Sequence, residues 1–257
     1  KIYSNSLDTL LCVNLIRDLF GSSFHYDQIV MQNFKLDNTW DLKWTSATGF
    51  GSGMDSWFLG GPEDFFQFAD LNGDGLEEKI IATNQKLQIF NNLGQIWFEG
   101  FPFGGNYKGE LNIAVGKLAG QNTKSVIISQ NNGGQAVIYN YHGGVVRENI
   151  FPLGKNLKSG LSVAVAEDAS TDPSKNGQIV LGVGNGNRPE VVIYNNNLSK
   201  INRRFFVDVY RLKGELSVAV GDLNGDRQKE IIVAFDAGKS KQIKIYNLSG
   251  KLLSQFK

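Results

Sequence analysis

Lys213-Gly214-Glu215-Leu216-Ser217-Val218-Ala219-Val220-Gly221 is the third copy of a segment that recurs along the chain. The earlier copies are Lys108-Gly109-Glu110-Leu111-Asn112-Ile113-Ala114-Val115-Gly116 and Ser159-Gly160-Leu161-Ser162-Val163-Ala164-Val165-Ala166. The matching alanines lie about 50 residues apart, a period that is typical of repeat architectures. The spacing therefore predicts that the chain is built from repeated units of about this length.

Each unit contains further pieces that resemble strands. A run rich in β-branched residues occurs four times, at Lys79–Ala82, Ser125–Ile128, Gln178–Leu181 and Glu230–Val233. An apolar run that ends in Ile-Tyr-Asn or Ile-Phe-Asn follows each of them, at Leu87–Asn91, Val137–Asn140, Val191–Asn195 and Ile243–Asn247. A turn and another short apolar run come next, so each unit predicts about four strands.

Four strands in about 50 residues, repeated without an intervening amphipathic helix, predict an all-β fold, a β-propeller of about five to seven four-stranded blades. We assign residues 1–257 to a single propeller domain, with four clearer repeats in residues 61–257. Residues 1–60 match the repeat weakly and predict either degenerate blades or a partial helix over Leu7–Phe20. The opening half-repeat leaves open whether the chain is a fragment of a longer protein.

Composition excludes several classes of function. The 26 basic and 25 acidic residues give a net charge of +1, which predicts neither a nucleic-acid footprint nor a polybasic membrane patch. One cysteine and two histidines are too few for an internal disulfide or a structural zinc site. No apolar run reaches the roughly 20 residues that span a bilayer, so we expect no membrane span in this chain.

The segment Asp70–Glu78 carries the most specific chemistry in the sequence. Oxygen-bearing residues at alternate positions can wrap one hard cation, because Ca²⁺ accepts carboxylate, amide and carbonyl oxygens together. The expected ligands are the side chains of Asp70, Asn72, Asp74 and Glu78 and the backbone carbonyl of Leu76. The closing acid falls earlier than in an EF-hand, and strands flank the loop instead of helices. A solvated polar turn without metal is the alternative interpretation.

A second copy of this segment predicts a second calcium site. Its expected ligands are Asp222, Asn224, Asp226, Gln228 and Glu230. Arg227 replaces the glycine that stands at position 75 of the first copy, which is a departure from the pattern of the first loop. The corresponding loop of another repeat, residues 117–125, has lost the acidic residues and is expected to bind no metal.

Asp-x-Asn-x-Asp-Gly-x-x-Glu before an apolar strand, with Gly-x-x-x-x-Ala-Val-Gly in other copies, resembles the FG-GAP/VCBS repeats of integrin α-subunit heads and bacterial surface proteins. Phe103-Gly104 and Leu153-Gly154 stand where that motif has its Phe-Gly pair. The resemblance covers residues 65–257 well and the start of the chain only faintly. It implies a propeller of up to seven blades with Ca²⁺ in selected loops on one face, used for adhesion or ligand binding.

The sequence therefore predicts a calcium-stabilised extracellular or cell-surface module whose partner is a protein or a polysaccharide. Catalysis is not expected, because no nucleophile motif accompanies His25 or His142. Two alternatives stay open. One is lectin-like carbohydrate binding on the aromatic residues of the stretch from Trp40 to Trp57, which could equally pack between blades. The other is the propeller domain of a polysaccharide-active enzyme.

Overall fold

The repeat seen in the sequence corresponds to a repeat of sheets. The computed structural model describes residues 65–83, 85–118, 121–167, 177–184, 187–195, 199–208, 216–236 and 241–256. Sixteen strands lie in these residues, and they form four separate sheets of four strands each. The helix and additional blades predicted for the start of the chain fall on residues outside this described part.

Each sheet is one blade, and we number the blades in chain order. The first blade comprises β1 (Phe65–Ala69), β2 (Glu78–Thr83), β3 (Lys86–Phe90) and β4 (Ile96–Gly100). The second comprises β5 (Leu111–Lys117), β6 (Lys124–Gln130), β7 (Ala136–Tyr139) and β8 (Val145–Ile150). The third comprises β9 (Ser162–Ala166), β10 (Gln178–Val183), β11 (Glu190–Tyr194) and β12 (Ile201–Phe206). The fourth comprises β13 (Leu216–Gly221), β14 (Glu230–Asp236), β15 (Lys241–Asn247) and β16 (Leu252–Phe256).

Every blade is an antiparallel meander in which sequence neighbours pair. The first strands of successive blades lie side by side, with β5 between β1 and β9, and β9 between β5 and β13. Three of these first strands, β5, β9 and β13, contain the repeated segments around Ala114, Ala164 and Ala219. The predicted all-β propeller of four-stranded blades is therefore confirmed for the described residues.

The hydrophobic core lies between blades and not within them. One cluster joins the first and second blades, a second joins the second and third, and a third joins the third and fourth. The middle strands β6 and β11 are accordingly buried along most of their length, while the outer strands β8 and β12 are largely exposed. A blade of this kind is stable only against a neighbour that covers its face.

The asparagine of the Ile-Tyr-Asn motif closes the turn between the third and fourth strands. Its Oδ1 accepts backbone N–H groups two and four residues later in three blades, for example at 3.0 and 2.8 Å from His142 and Gly144 to Asn140. In all four described blades a β-bulge precedes it, as between Ile245 and Tyr246. A short polar side chain that satisfies turn amides explains why asparagine recurs at this position.

Aromatic rings of the outer strands connect neighbouring blades near the rim. Phe98 of the first blade contacts Tyr139 of the second, with ring centroids 5.3 Å apart. Phe205 of the third blade contacts Tyr246 of the fourth at 4.8 Å. Edge-on and tilted pairs of this kind add to the stabilisation that comes from burying the rings. The described residues contain no helix with the length and hydrophobicity needed to cross a bilayer.

Candidate functional site: two acidic loops on one face of the propeller

Both predicted calcium loops connect the first and second strands of a blade. Residues 70–77 join β1 to β2, and residues 222–229 join β13 to β14, so the two loops occupy equivalent positions at the same ends of their blades. The loops thus have strands on either side, as the sequence predicted. The proposed ligands of each loop come close together because the chain reverses within these few residues.

The first acid of each loop holds the loop backbone in its curved form. Asp70 accepts hydrogen bonds from the N–H groups of Gly73 at 2.7 Å and Gly75 at 3.1 Å, one on each carboxylate oxygen. Asp222 does the same for Gly225 at 2.7 Å and Arg227 at 2.9 Å. The curvature is therefore encoded by the aspartate together with residues that accept positive φ.

The second and third ligand positions are ordered in the same way in both loops. Asn72 Oδ1 accepts the N–H of Asp74 at 2.7 Å, and Asp74 Oδ1 accepts the N–H of Leu76 at 2.8 Å. In the other loop, Asn224 accepts from Asp226 at 2.8 Å and Asp226 accepts from Gln228 at 2.7 Å. The alternation of polar residues in the sequence thus places a row of oxygen atoms along the inside of each loop.

The closing glutamates are buried beneath the loops. Glu78 is 0% exposed and Glu230 is 2% exposed, and each accepts a backbone N–H, from Leu71 and from Leu223, at 2.8 Å. Burial raises the pKa of both carboxyl groups, and the neighbouring aspartates of each loop raise it further. Each loop therefore concentrates negative charge around a carboxylate that has little access to water.

Glu78 also has an unsatisfied oxygen. Its Oε1 is buried and has no hydrogen-bond partner, although its Oε2 accepts from Leu71. A buried carboxylate oxygen without a partner is costly, and such a group in a native protein calls for an explanation such as a bound ion or water. Asp70 and Asp74 of the same loop are near enough to raise the pKa of the Glu78 carboxyl group.

The donor set fits calcium only if carboxylates act together with neutral oxygens. Within the described residues, no three His, Cys, Asp or Glu side chains are placed to hold a metal ion by themselves. Ca²⁺ also takes amide and backbone carbonyl oxygens, which Asn72 and Leu76 would supply in the first loop. Each carboxylate oxygen has more than one lone pair, so an oxygen that accepts an N–H can still contact a cation.

The second loop differs from the first at one backbone position. Arg227 has φ of 68°, and Gly75 at the equivalent place has φ of 86°. A side chain other than glycine in this left-handed region is strained by about 1–2 kcal/mol. The loop therefore keeps the geometry of the first copy in spite of the substitution, and it carries an extra positive charge next to its acidic residues.

In the corresponding loop of the second blade, a hydrogen bond between neutral side chains replaces the buried glutamate. Ser125 stands where Glu78 and Glu230 stand in the other blades, is fully buried, and donates to Gln121 Oε1 at 2.5 Å. Lys124 of this blade also donates its N–H to the carbonyl of Leu71 at 2.9 Å, which joins it to the first blade. The second blade thus contacts the first blade with a neutral residue at the position of the closing glutamate. The expectation that this loop binds no metal stays a prediction.

One feature was missed in the sequence, a polar notch at the opposite ends of the inner strands. Ser159 and Gly160 contribute to it, and they stand where the other repeats have Gly-Glu. That exchange is visible when the three repeated segments are aligned. The notch itself is formed by residues of neighbouring blades, so the alignment alone does not predict it. The aromatic stretch from Trp40 to Trp57 falls outside the described residues.

The geometry defines the protein as a β-propeller with two acidic inter-strand loops on one face. No protein-family profile matches the chain, and no curated protein matches it in sequence. The chain is similar to several solved structures at low sequence identity.

The biofilm matrix protein Bap1 of V. cholerae is 17% identical, with a TM-score of 0.44 over 74% of this chain. The exotype rhamnogalacturonan lyase YesX is 13% identical, with a TM-score of 0.46 over 74%. A lectin of Agrocybe aegerita that recognises non-reducing terminal N-acetylglucosamine is 18% identical, with a TM-score of 0.45 over 75%. The matched part spans 27%, 49% and 51% of those proteins respectively, and the likeness carries no inference about function.

Proposed function

We propose that this chain is a calcium-stabilised β-propeller that acts outside the cell as a binding, adhesion or structural module and not as an enzyme. The observation that carries the proposal is the buried, unpartnered Oε1 of Glu78 under a loop that also carries Asp70 and Asp74, both of which raise the pKa of Glu78. A Ca²⁺ ion at this point would satisfy that oxygen and offset the repulsion among the three carboxylates.

The form of the loops supports an extracellular location. Their outer residues are exposed, and the ligands of each loop come from one short segment. Calcium sites of extracellular modules bind at about 10⁻⁴–10⁻³ M, which matches the calcium concentration outside cells and not inside them. If these loops belong to that affinity class, they are filled where calcium is abundant, so a cell-surface or secreted location is part of the proposal.

Membership of the FG-GAP/VCBS repeats is part of the same proposal. It is supported by the position of both Asp-x-Asn-x-Asp loops, each between the first two strands of a propeller blade. The turns at Phe103-Gly104 and Leu153-Gly154 support it too, since Gly104 and Gly154 both have positive φ and both donate to the carbonyl three residues earlier. Repeats that share turns and differ in ligands fit a family in which calcium occupies selected blades.

A binding role is favoured over catalysis by the distribution of perturbed acids. Among the described residues, the carboxyl groups with raised pKa are Glu78 and Glu230, and both lie in the loops. Hydrolysis of a glycosidic bond would need two carboxyl groups facing each other across an open cleft.

Calcium binding can be counted directly by equilibrium dialysis. We expect one ion for each acidic loop in the native chain. Asp74→Ala and Asp226→Ala should each abolish one of the two, because each removes a carboxylate that no neighbour can replace. Gln121→Ala, at the matching position of the ligand-poor loop, is the control and should leave the count unchanged. Calcium uptake that neither aspartate variant reduces would contradict the assignment of these loops.

Replacing Arg227 by glycine is expected to raise the calcium affinity of the second loop by about threefold or more. The change removes a positive charge close to the ligands and relieves the left-handed backbone. Titration in an Asp74→Ala background reports on this loop alone. Arg203→Ala, which removes an exposed arginine from β12, controls for net charge. An equal gain in calcium affinity for Arg227→Gly and Arg203→Ala would show that Arg227 has no local effect on the loop.

A further inference from the structure

Both acidic loops contain an asparagine that is followed by glycine. The pairs are Asn72-Gly73 in the first loop and Asn224-Gly225 in the second, and a third pair in the described part of the chain, Asn132-Gly133, lies in the hairpin between β6 and β7. Glycine has no side chain to shield its backbone nitrogen, so that nitrogen can reach the side-chain amide of the preceding asparagine. The loops that carry the expected calcium ligands therefore also carry a chemically reactive pair.

The reaction of such a pair is deamidation, which needs only the chain and water. In the first loop, the backbone nitrogen of Gly73 would form a bond to Cγ of Asn72, and the bond between Cγ and Nδ2 would break. The side-chain nitrogen leaves as ammonia, with the proton that Gly73 gave up. Water then opens the five-membered imide at one of its two carbonyl groups, which gives either aspartate or isoaspartate.

Hydrogen bonds of the closed loop hold both reacting groups in other contacts. The N–H of Gly73 donates to Asp70 Oδ1 at 2.7 Å. The amide of Asn72 is held at both ends, because its Oδ1 accepts the N–H of Asp74 at 2.7 Å and its Nδ2 donates to Asp74 Oδ2 at 2.9 Å. The imide can form only when these bonds break, so the reaction requires a local opening of the loop.

The second loop restrains its asparagine in the same way. Gly225 donates its N–H to Asp222 Oδ1 at 2.7 Å, and Asn224 accepts from the N–H of Asp226 at 2.8 Å and donates to Asp226 Oδ2 at 3.1 Å. A methyl group on Gly225 or on Gly73 would have no atom within 4 Å. The tip of each loop is therefore restrained by hydrogen bonds to the expected calcium ligands and not by packing against other residues.

The pair Asn132-Gly133 provides a comparison within the same chain. Asn132 is exposed, and its backbone N–H donates to Tyr107 Oη at 3.2 Å, but no described residue is hydrogen-bonded to its side chain. It has the same reactive sequence without the restraint that Asp74 and Asp226 impose in the loops. The rate at Asn132 therefore reports how fast a pair of this kind reacts when its amide is not held.

We propose that Asn72-Gly73 and Asn224-Gly225 are deamidation sites that bound Ca²⁺ protects, so that a loop left without the ion is converted irreversibly. An ion bound to the closed loop lowers the population of the open loop, because only the closed loop brings the ligands together. Isoaspartate adds a methylene group to the backbone, which breaks the alternation of oxygen ligands and destroys the site. This inference rests on the proposed calcium binding.

The test is incubation of the full chain at mildly alkaline pH, with Ca²⁺ or with chelator, followed by peptide mass spectrometry. Calcium at about 10 mM is at least tenfold above the dissociation constants expected for such loops. Conversion of Asn72 and Asn224 should then be about tenfold or more slower than in chelator, because the calcium-free fraction falls by that factor. Asn132 should react at the same rate in both conditions, and in Ca²⁺ faster than either loop asparagine.

Asp74→Ala separates the two loops within one molecule. The change removes a calcium ligand and the acceptor of Asn72 Nδ2. In Ca²⁺, Asn72 of this variant should therefore react at least as fast as it does in the native chain with chelator. Asn224 of the same molecule should stay protected, which shows that the variant is folded. Protection of Asn72 that survives the loss of Asp74 would overturn the proposal.

Equal rates at Asn72 and Asn224 with and without calcium, or faster conversion in calcium, would overturn it too. Equilibrium dialysis of the same samples tells this failure from failure of the proposed function. Bound calcium without protection would refute the deamidation inference and leave the calcium sites standing, whereas absence of bound calcium would refute both. Chains isolated with isoaspartate in both loops should no longer bind Ca²⁺, and retained binding would contradict the loss of the site.

Discussion

Excess Ca²⁺ is expected to stabilise the folded chain by about 5 kcal/mol relative to excess chelator. A ligand that binds only the folded state contributes about 2.7 kcal/mol at a hundredfold excess over its dissociation constant, and two independent loops double that value. For a chain of this size the midpoint of thermal unfolding should rise by roughly 10–20 °C. The physical source is the relief of charge repulsion around the buried Glu78 and Glu230.

The stabilisation by Ca²⁺ should disappear when the carboxylate ligands are removed. An Asp74→Ala, Asp226→Ala double variant should unfold at the same temperature in Ca²⁺ and in chelator, and each single variant should lose about half of the shift. Mg²⁺ in place of Ca²⁺ is a matched control, because it demands a smaller, near-octahedral site and should stabilise the chain less. A calcium-dependent shift of unchanged size in the double variant would mean that the ion binds elsewhere.

Gly160→Ala is expected to lower the free energy of unfolding by about 2–5 kcal/mol. The alanine would be held at a positive φ, at a cost of about 1–2 kcal/mol, and its methyl group would be forced against the carbonyl of Asn131, which adds about 1–3 kcal/mol of overpacking. The contact is with backbone of the neighbouring blade, so no side-chain rotation can relieve it. Urea unfolding at constant calcium measures the loss.

Gly154→Ala is the matched control for this change. Gly154 has φ of 94°, comparable to that of Gly160, but a methyl group there would have no atom within 4 Å. Its replacement should therefore cost only the conformational part, about 1–2 kcal/mol. Equal losses for the two variants would contradict the close approach of the second and third blades at Asn131.

Much of the fold follows from local patterns in the sequence. The runs around Ala114, Ala164 and Ala219 form the inner strands, because small residues fit where the first strands of neighbouring blades meet. The Ile-Tyr-Asn motif marks the end of a strand, as the sequence predicts, and its asparagine closes the hairpin that follows. These features depend on residues close together in the chain, which is why they can be predicted.

The remaining features depend on contacts between blades. Nothing near Phe98 in the sequence indicates that it contacts Tyr139, and nothing near Ser159 shows that its hydroxyl is buried. The residue type of Arg227 does not indicate its left-handed backbone conformation. That conformation becomes apparent when the second loop is compared with the first, which has Gly75 at this position. In the calcium loops the sequence predicted which residues come together, while the unpartnered oxygen of Glu78 became apparent only from its burial under the loop.

The acidic loops and the notch lie at opposite ends of the same inner strands. A strand such as β13, Leu216–Gly221, separates them by roughly 20 Å at about 3.3 Å per residue. Groups so far apart contribute independently. A molecule that adheres to a surface through its loop face would therefore still offer its other face to the medium, and many copies fixed in this orientation would form a layer with one kind of face turned outward.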